Sequence, residues 1–144
     1  MNPQDAPSQQ VLTLPGAIAL SPFRVEKLLA SLPKTLAGAI ALDTRFVHFV
    51  AVSAALDPQQ TRVLEKLLTY GPPARGEPRG RLLLVLPRFG TESPWSSKAT
   101  DIVHNCGLGG IVRVERGIAY YIDSRQALSQ DARGELERAI HDRM

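Results

Sequence analysis

The sequence predicts an α+β fold in which one strand–helix–hairpin–helix unit occurs twice, arranged about a pseudo-two-fold axis. Three observations carry that reading. Apolar residues fall at strand spacing in some stretches and at helical spacing in others. Ser-Pro and Asp-Pro steps open the helical stretches, as caps followed by first-turn prolines do. The second half also runs through the same order as the first at a constant offset of 72 positions, half of the 144-residue chain.

The elements follow in order. "VLTLP" (11–15) reads as a short strand. Ser21-Pro22 caps a helix whose apolar stripe is Val25, Leu28, Leu29 and Leu32. "GAIALDTRFVHFVAV" (38–52) is rich in strand formers, with a polar break at Asp43-Thr44-Arg45 that suggests a hairpin. Asp57-Pro58 starts a second helix, with Gln60 placed to complete a capping box and Val63, Leu64, Leu67 and Leu68 as its stripe. Gly71-Pro72-Pro73 ends it.

"RLLLVLP" (81–87) then reads as a buried strand. Ser93-Pro94 opens a helix that ends before Gly107. "IVRVERGIAYYID" (111–123) reads as two strands turning at Arg116-Gly117, and Ser129 opens a last helix through Leu136, Ile140 and His141.

The offset of 72 aligns Leu14-Pro15 with Leu86-Pro87, Ser21-Pro22-Phe23 with Ser93-Pro94-Trp95, Phe46–Val50 with Ile118–Ile122, and Leu64-Glu65-Lys66 with Leu136-Glu137-Arg138. A constant register across unlike elements indicates internal duplication. Residues 1–10 are expected to be a flexible N-terminus. Residues 11–144 are expected to form one domain of two repeats, 11–70 and 83–142, joined by an exposed linker at 71–82. A unit this small has a marginal core, so the copies are expected to bury their apolar faces on each other.

The totals exclude several classes. No apolar run approaches the length of a membrane span. "MNPQDAPSQQ" lacks the basic and apolar regions of a signal peptide. A single cysteine excludes an internal disulfide and a multi-cysteine metal site, and suggests a cytoplasmic setting. A net charge of +3 without a block of like charge argues against nucleic acid as a partner.

The chemically loaded run is "TESPWSSKATDIVHNCGL" (91–108), which holds the lone tryptophan and the lone cysteine. Ser93, Ser96, Ser97 and Lys98 place hydroxyls, free amides and a cation at a helix start, a setting that suits an anion. The competing reading is capping plus core: Trp95, Ala99, Ile102 and Cys106 fall at the spacing of a buried face. Ser96, Ser97, Lys98, Asp101 and Asn105 would then lie outward, available to a partner.

Cys106 reads as a core thiol, with a nucleophile as the rival. His48 reads as half-buried on a strand, and His104 as hydrogen-bonded to Asp101. The histidines have no metal-site spacing. Walker, dinucleotide-binding, nucleophile-elbow and paired-histidine motifs are absent. No catalytic, cofactor-binding or metal-ligating residue is assigned.

"SPFRVEKLLA", "FVHFV", "GPPA", "PWSSKATDI", "HNCGL" and "ERGIAYYI" together resemble the N-terminal region of the formylglycinamide ribonucleotide amidotransferase family, large single-chain form, over residues 11–144. Departures are modest: Val103 stands where a small residue is usual, and the first ten residues match no pattern. The resemblance implies a fold similar to a dimer of the small PurS protein, with "VRVERGIAYYI" as its hairpin.

It implies a non-catalytic segment of a ligase of purine biosynthesis that uses ATP, magnesium and glutamine, their sites lying downstream. The implied partners are synthetase and glutaminase domains of the same chain, between which ammonia must pass. "ELERAIHDRM" stops inside a helical pattern, as a segment of a longer chain would. The rivals are a stand-alone module binding a small phosphate at Ser93–Lys98 and a cysteine-dependent activity at Cys106.

Overall fold

The computed structural model describes residues 10–87, 91–125 and 127–141. The expected flexible N-terminus lies almost wholly outside these. In order, the elements are β1 (Gln10–Ile18), α1 (Pro22–Ala30), a single turn α2 (Lys34–Ala37), β2 (Ile40–Val52), α3 (Pro58–Leu67), β3 (Arg81–Val85), α4 (Pro94–Asn105), β4 (Ile111–Ser124) and α5 (Gln130–His141). The strands form one antiparallel sheet in the order β1-β2-β4-β3. The fold is α+β.

The helices start as the sequence predicts. Ser21, Asp57 and Ser93 cap α1, α3 and α4, each followed by proline, and the Asp57–Gln60 capping box forms in both directions. Ser129 accepts from the Ala132 amide at the start of α5. The starts of α1 and α4, and of α3 and α5, stand 72 positions apart.

The hairpins do not form. β2 and β4 are single strands of 13 and 14 residues, paired along their whole length. The polar residues that suggested breaks are satisfied within the sheet. Thr44 accepts the Leu20 amide, and Arg45 binds Asp43 at 3.0 Å. Arg116-Gly117 runs straight on opposite His48 and Val47. Near the middle of this seam Phe46 faces Ile118, and these two are themselves 72 positions apart.

The outer strands leave that register. Leu12 faces Val50, but Arg81 faces Ile122, so here the offset is 69. The entry of β3 explains the slip. Gly80 has φ +100°, and a Cβ on it would lie 2.2 Å from the Ile122 carbonyl oxygen, so only glycine lets the chain join the sheet there. β3 is not the buried strand expected from "RLLLVLP". It is an edge strand that exposes Leu82 and Leu84.

Alternation along the strands places Ile40, Val50, Val52, Val114, Tyr120 and Ile122 on the face that the helices cover. Two apolar clusters fill it. One joins Leu28, Leu32 and Leu36 of the first half to Val85, Tyr120, Leu136 and Ile140 of the second. The other joins Leu64 and Leu68 to Val103, Leu108 and Val114. Each core therefore mixes both halves. The opposite face carries Val47, Phe49, Leu82, Leu84 and Tyr121, and the Arg45 guanidinium ties the crossover segment to it through the carbonyls of Arg75 and Gly76.

Candidate functional site

Helix α4 buries Ser96, Thr100 and Val103; of the expected stripe, Trp95 and Ala99 are half-buried against the core, while Ile102 and Cys106 are not. The reason is hydrogen bonding. β3 pairs with β4 only over residues 118–122, so among the described residues no strand meets the edge of β4 near Val114. Ser96 Oγ donates to the Val114 carbonyl at 2.5 Å, and Thr100 Oγ1 accepts the Val114 amide at 3.1 Å. Two hydroxyls one helical turn apart thus stand in for a strand, since buried backbone groups must be paired.

Ser96 is accordingly buried, not outward as expected. Ser97, Lys98, Asp101 and Asn105 are exposed. Ile102 and Cys106, expected in the core, are exposed too. The spacing of Ser96 and Thr100 was the available signal.

The start of α4 is already occupied. Ser93 Oγ accepts the Ser96 amide and donates to the Glu115 carboxylate at 2.9 Å. Burial alone would raise the Glu115 carboxyl. Hydrogen bonds from the Arg116 amide, the Arg113 guanidinium and the Ser93 hydroxyl outweigh it and hold the group below its ordinary range. An intramolecular carboxylate thus sits beside the cap that was a candidate phosphate site. His104 Nε2 contacts the Ile111 carbonyl oxygen at 2.6 Å, not Asp101.

Cys106 caps α4 at its C-terminus and makes no hydrogen bond through its thiol among the described residues. A maleimide is therefore expected to label it in the folded protein at a rate close to that of a free thiol. Protection until denaturant is added would show that the thiol is covered.

The helix face also holds a polar cluster that sequence reasoning did not assemble. Across the sheet, Leu14, His48 and Arg116 form one row. His48 is fully buried. Its Nε2 lies 2.7 Å from the Tyr70 hydroxyl, and its ring stacks on Trp95 at 5.8 Å between centroids. Among the described residues Nδ1 has no hydrogen-bond partner; the Leu14 backbone favours protonation of the ring without forming a full bond to it.

Burial, and then the Arg116 charge, lower the His48 pKa to about 4, so the ring is neutral at physiological pH. The Arg116 guanidinium lies 4.3 Å from the Phe46 ring centroid and 4.5 Å from that of Trp95, and Nη1 donates to Tyr70 Oη at 3.1 Å. A Cβ on Gly16 would lie 2.7 Å from His48 Cε1, so glycine admits the imidazole beneath β1.

This cluster draws on β2, the residues after α3, α4 and β4. Phe46, His48, Tyr70, Trp95 and Arg116 all lie in the stretch that matches a known family: the model of the formylglycinamide ribonucleotide amidotransferase N-terminal family matches residues 45–144. The chain belongs to that family. The amidotransferase is an enzyme of purine biosynthesis, and this chain is its N-terminal domain. Among the described residues of this amidotransferase domain, no helix is long and apolar enough to cross a membrane.

Proposed function

We propose that this domain is the non-catalytic scaffold of the amidotransferase. It docks the synthetase and glutaminase domains of the same chain and supports the passage of ammonia from one to the other. ATP and magnesium belong to the downstream domains in this reading. The two halves are copies of one unit whose opposite sides came to serve different partners.

One observation carries this reading. Among the described residues, helices cover only one side of the sheet, and the other side carries apolar residues where a solvated antiparallel sheet is polar. Leu82 and Leu84 are 52% and 39% exposed there. A slab with an uncovered apolar face on one side and exposed Ser97, Asp101 and Asn105 on the other offers two unlike surfaces. Released ammonia escapes or is protonated unless its source and its consumer are held together, so the scaffold has a kinetic purpose.

In the complete enzyme, Leu82→Glu with Leu84→Glu is expected to raise the ratio of glutamate to amidine product several-fold while glutamine hydrolysis continues. An unchanged ratio at normal activity would show that this face docks nothing that matters to coupling.

A further inference from the structure

A groove of about 310 Å³ runs between α3 and α4. Leu67, Trp95 and Ile102 supply apolar wall, Arg116 and Tyr70 line it, and Lys98 is exposed beside it. Among the described residues, no aspartate or glutamate lines it. From this we infer that the groove receives an acidic side chain carried on an apolar segment of another domain of the amidotransferase, with its carboxylate held by Arg116 and assisted by Lys98. The inference rests on the scaffold reading above and names a contact within it.

The argument begins with Arg116. Its planar guanidinium has aromatic rings close to it in Phe46 and Trp95, and one Nη1–H reaches Tyr70. The rings engage the guanidinium as a cation and Tyr70 takes one N–H, so the other N–H donors suit a planar, bidentate acceptor, which is what a carboxylate is. None is present among the described residues: the ion pairs there are Arg45–Asp43 and Arg113–Glu115. Glu115 accepts the backbone amide of Arg116 on Oε1 and the Arg113 guanidinium on Oε2.

His48, which faces Arg116 across the β2–β4 seam, is neutral. The Tyr70 hydroxyl serves both His48 and Arg116, so among the described residues the cluster holds one positive charge without a counter-charge, in a half-buried place. That is costly until a counter-charge arrives.

The offset of 72 positions supplies an independent comparison. Thr44 stands 72 positions before Arg116, and Tyr120 stands 72 after His48. These two also face each other across the β2–β4 seam. There the position is closed: Thr44 and Tyr120 are 3% and 2% exposed, and the Thr44 hydroxyl takes the Leu20 amide. The fold therefore does not require a cation at this place. One half seals it, and the other opens it into a cationic groove. Ile102, 47% exposed, adds apolar surface beside the groove that suits the flank of an incoming segment rather than a free anion.

The test uses the complete enzyme and a water-soluble carbodiimide, which joins a carboxylate to an amine in direct contact. Lys98 reports without any substitution, and Arg116→Lys places a second amine at the proposed contact. Tryptic peptides are then mapped by mass spectrometry. The expected result is an amide from Lys98, and in the variant also from position 116, to an aspartate or glutamate outside residues 1–144. The inference is overturned if both positions stay unmodified while other lysines react, or if they join only to carboxylates within 1–144.

Charge exchange checks the same contact by another route. Arg116→Glu should lose domain coupling, and replacing the identified acid with arginine should restore it. The outcomes separate the two proposals. A cross-link with a normal product ratio in the Leu82/Leu84 variant sustains the contact and sinks coupling through the sheet face. A raised ratio in that variant without a cross-link does the reverse.

Discussion

Leu64→Ala is expected to remove about 3–5 kcal/mol of stability, and Leu136→Ala a similar amount, as truncation of a fully buried leucine does. Leu64 is 0% and Leu136 is 1% exposed. The two occupy corresponding places in the two halves yet belong to different clusters.

Each cluster takes residues from both halves, so neither half retains a core when the other melts. Both variants should therefore unfold in a single transition, with fluorescence and circular dichroism coincident. The expected drop in Tm should be comparable for the two. Two resolved transitions, or one variant that melts half of the helix signal alone, would show that the halves are independent folding units.

The second large effect is on pH. The unfolded chain carries His48 near its ordinary pKa of 6.5, and burial, with Arg116 adding, lowers it to about 4 in the folded protein. A depressed folded value means that the unfolded chain binds the proton first. The stability from a neutral His48 is thus fully present above pH 6.5 and is lost as pH falls towards 4. With allowance for solvent screening at the adjoining groove, the loss is about 2 kcal/mol.

Denaturant midpoints measured between pH 7 and 4.5 should fall in the wild type and stay nearly level in His48→Gln. The window matters. Glu115, also depressed, costs stability only as pH falls through its own lower range. Parallel slopes in the two proteins would mean that His48 titrates normally.

Much of the fold was legible because local signals agreed with tertiary ones. Ser21, Asp57, Ser93 and Ser129 mark helix starts by their own chemistry, and the periodicity of 72 positions returns as the pairing of Phe46 with Ile118. The hairpins were misread because Asp43-Thr44-Arg45 and Arg116-Gly117 look like turns in isolation. Their polar groups find partners only in the assembled sheet.

The face of α4 was misread for a similar reason. Ser96 and Thr100 are polar by composition, but they are buried where an unpaired strand edge needs a donor and an acceptor. The cluster around His48 and Arg116 had no spacing to betray it. Tyr70 reaches Arg116 across 46 positions of sequence. The one hint was asymmetry under the offset, since Arg116 stands where the first half has Thr44.

The seam between β2 and β4 also fixes what the crossover segment contributes. Thirteen residue pairs along that seam, from Ile40–Ser124 to Val52–Ile111, hold the halves together without help from the chain that connects them. The ten residues from Gly71 to Gly80 thus serve as a tether. They set the effective concentration at which one half meets the other, of millimolar order for a short linker, and turn an association between two molecules into a folding step within one. Arg45, by gripping the carbonyls of Arg75 and Gly76, shortens that tether further. A proteolytic nick at the tip of the segment would remove the concentration term and leave the hydrogen-bonded seam intact, so the cut chain becomes a heterodimer whose persistence depends on dilution.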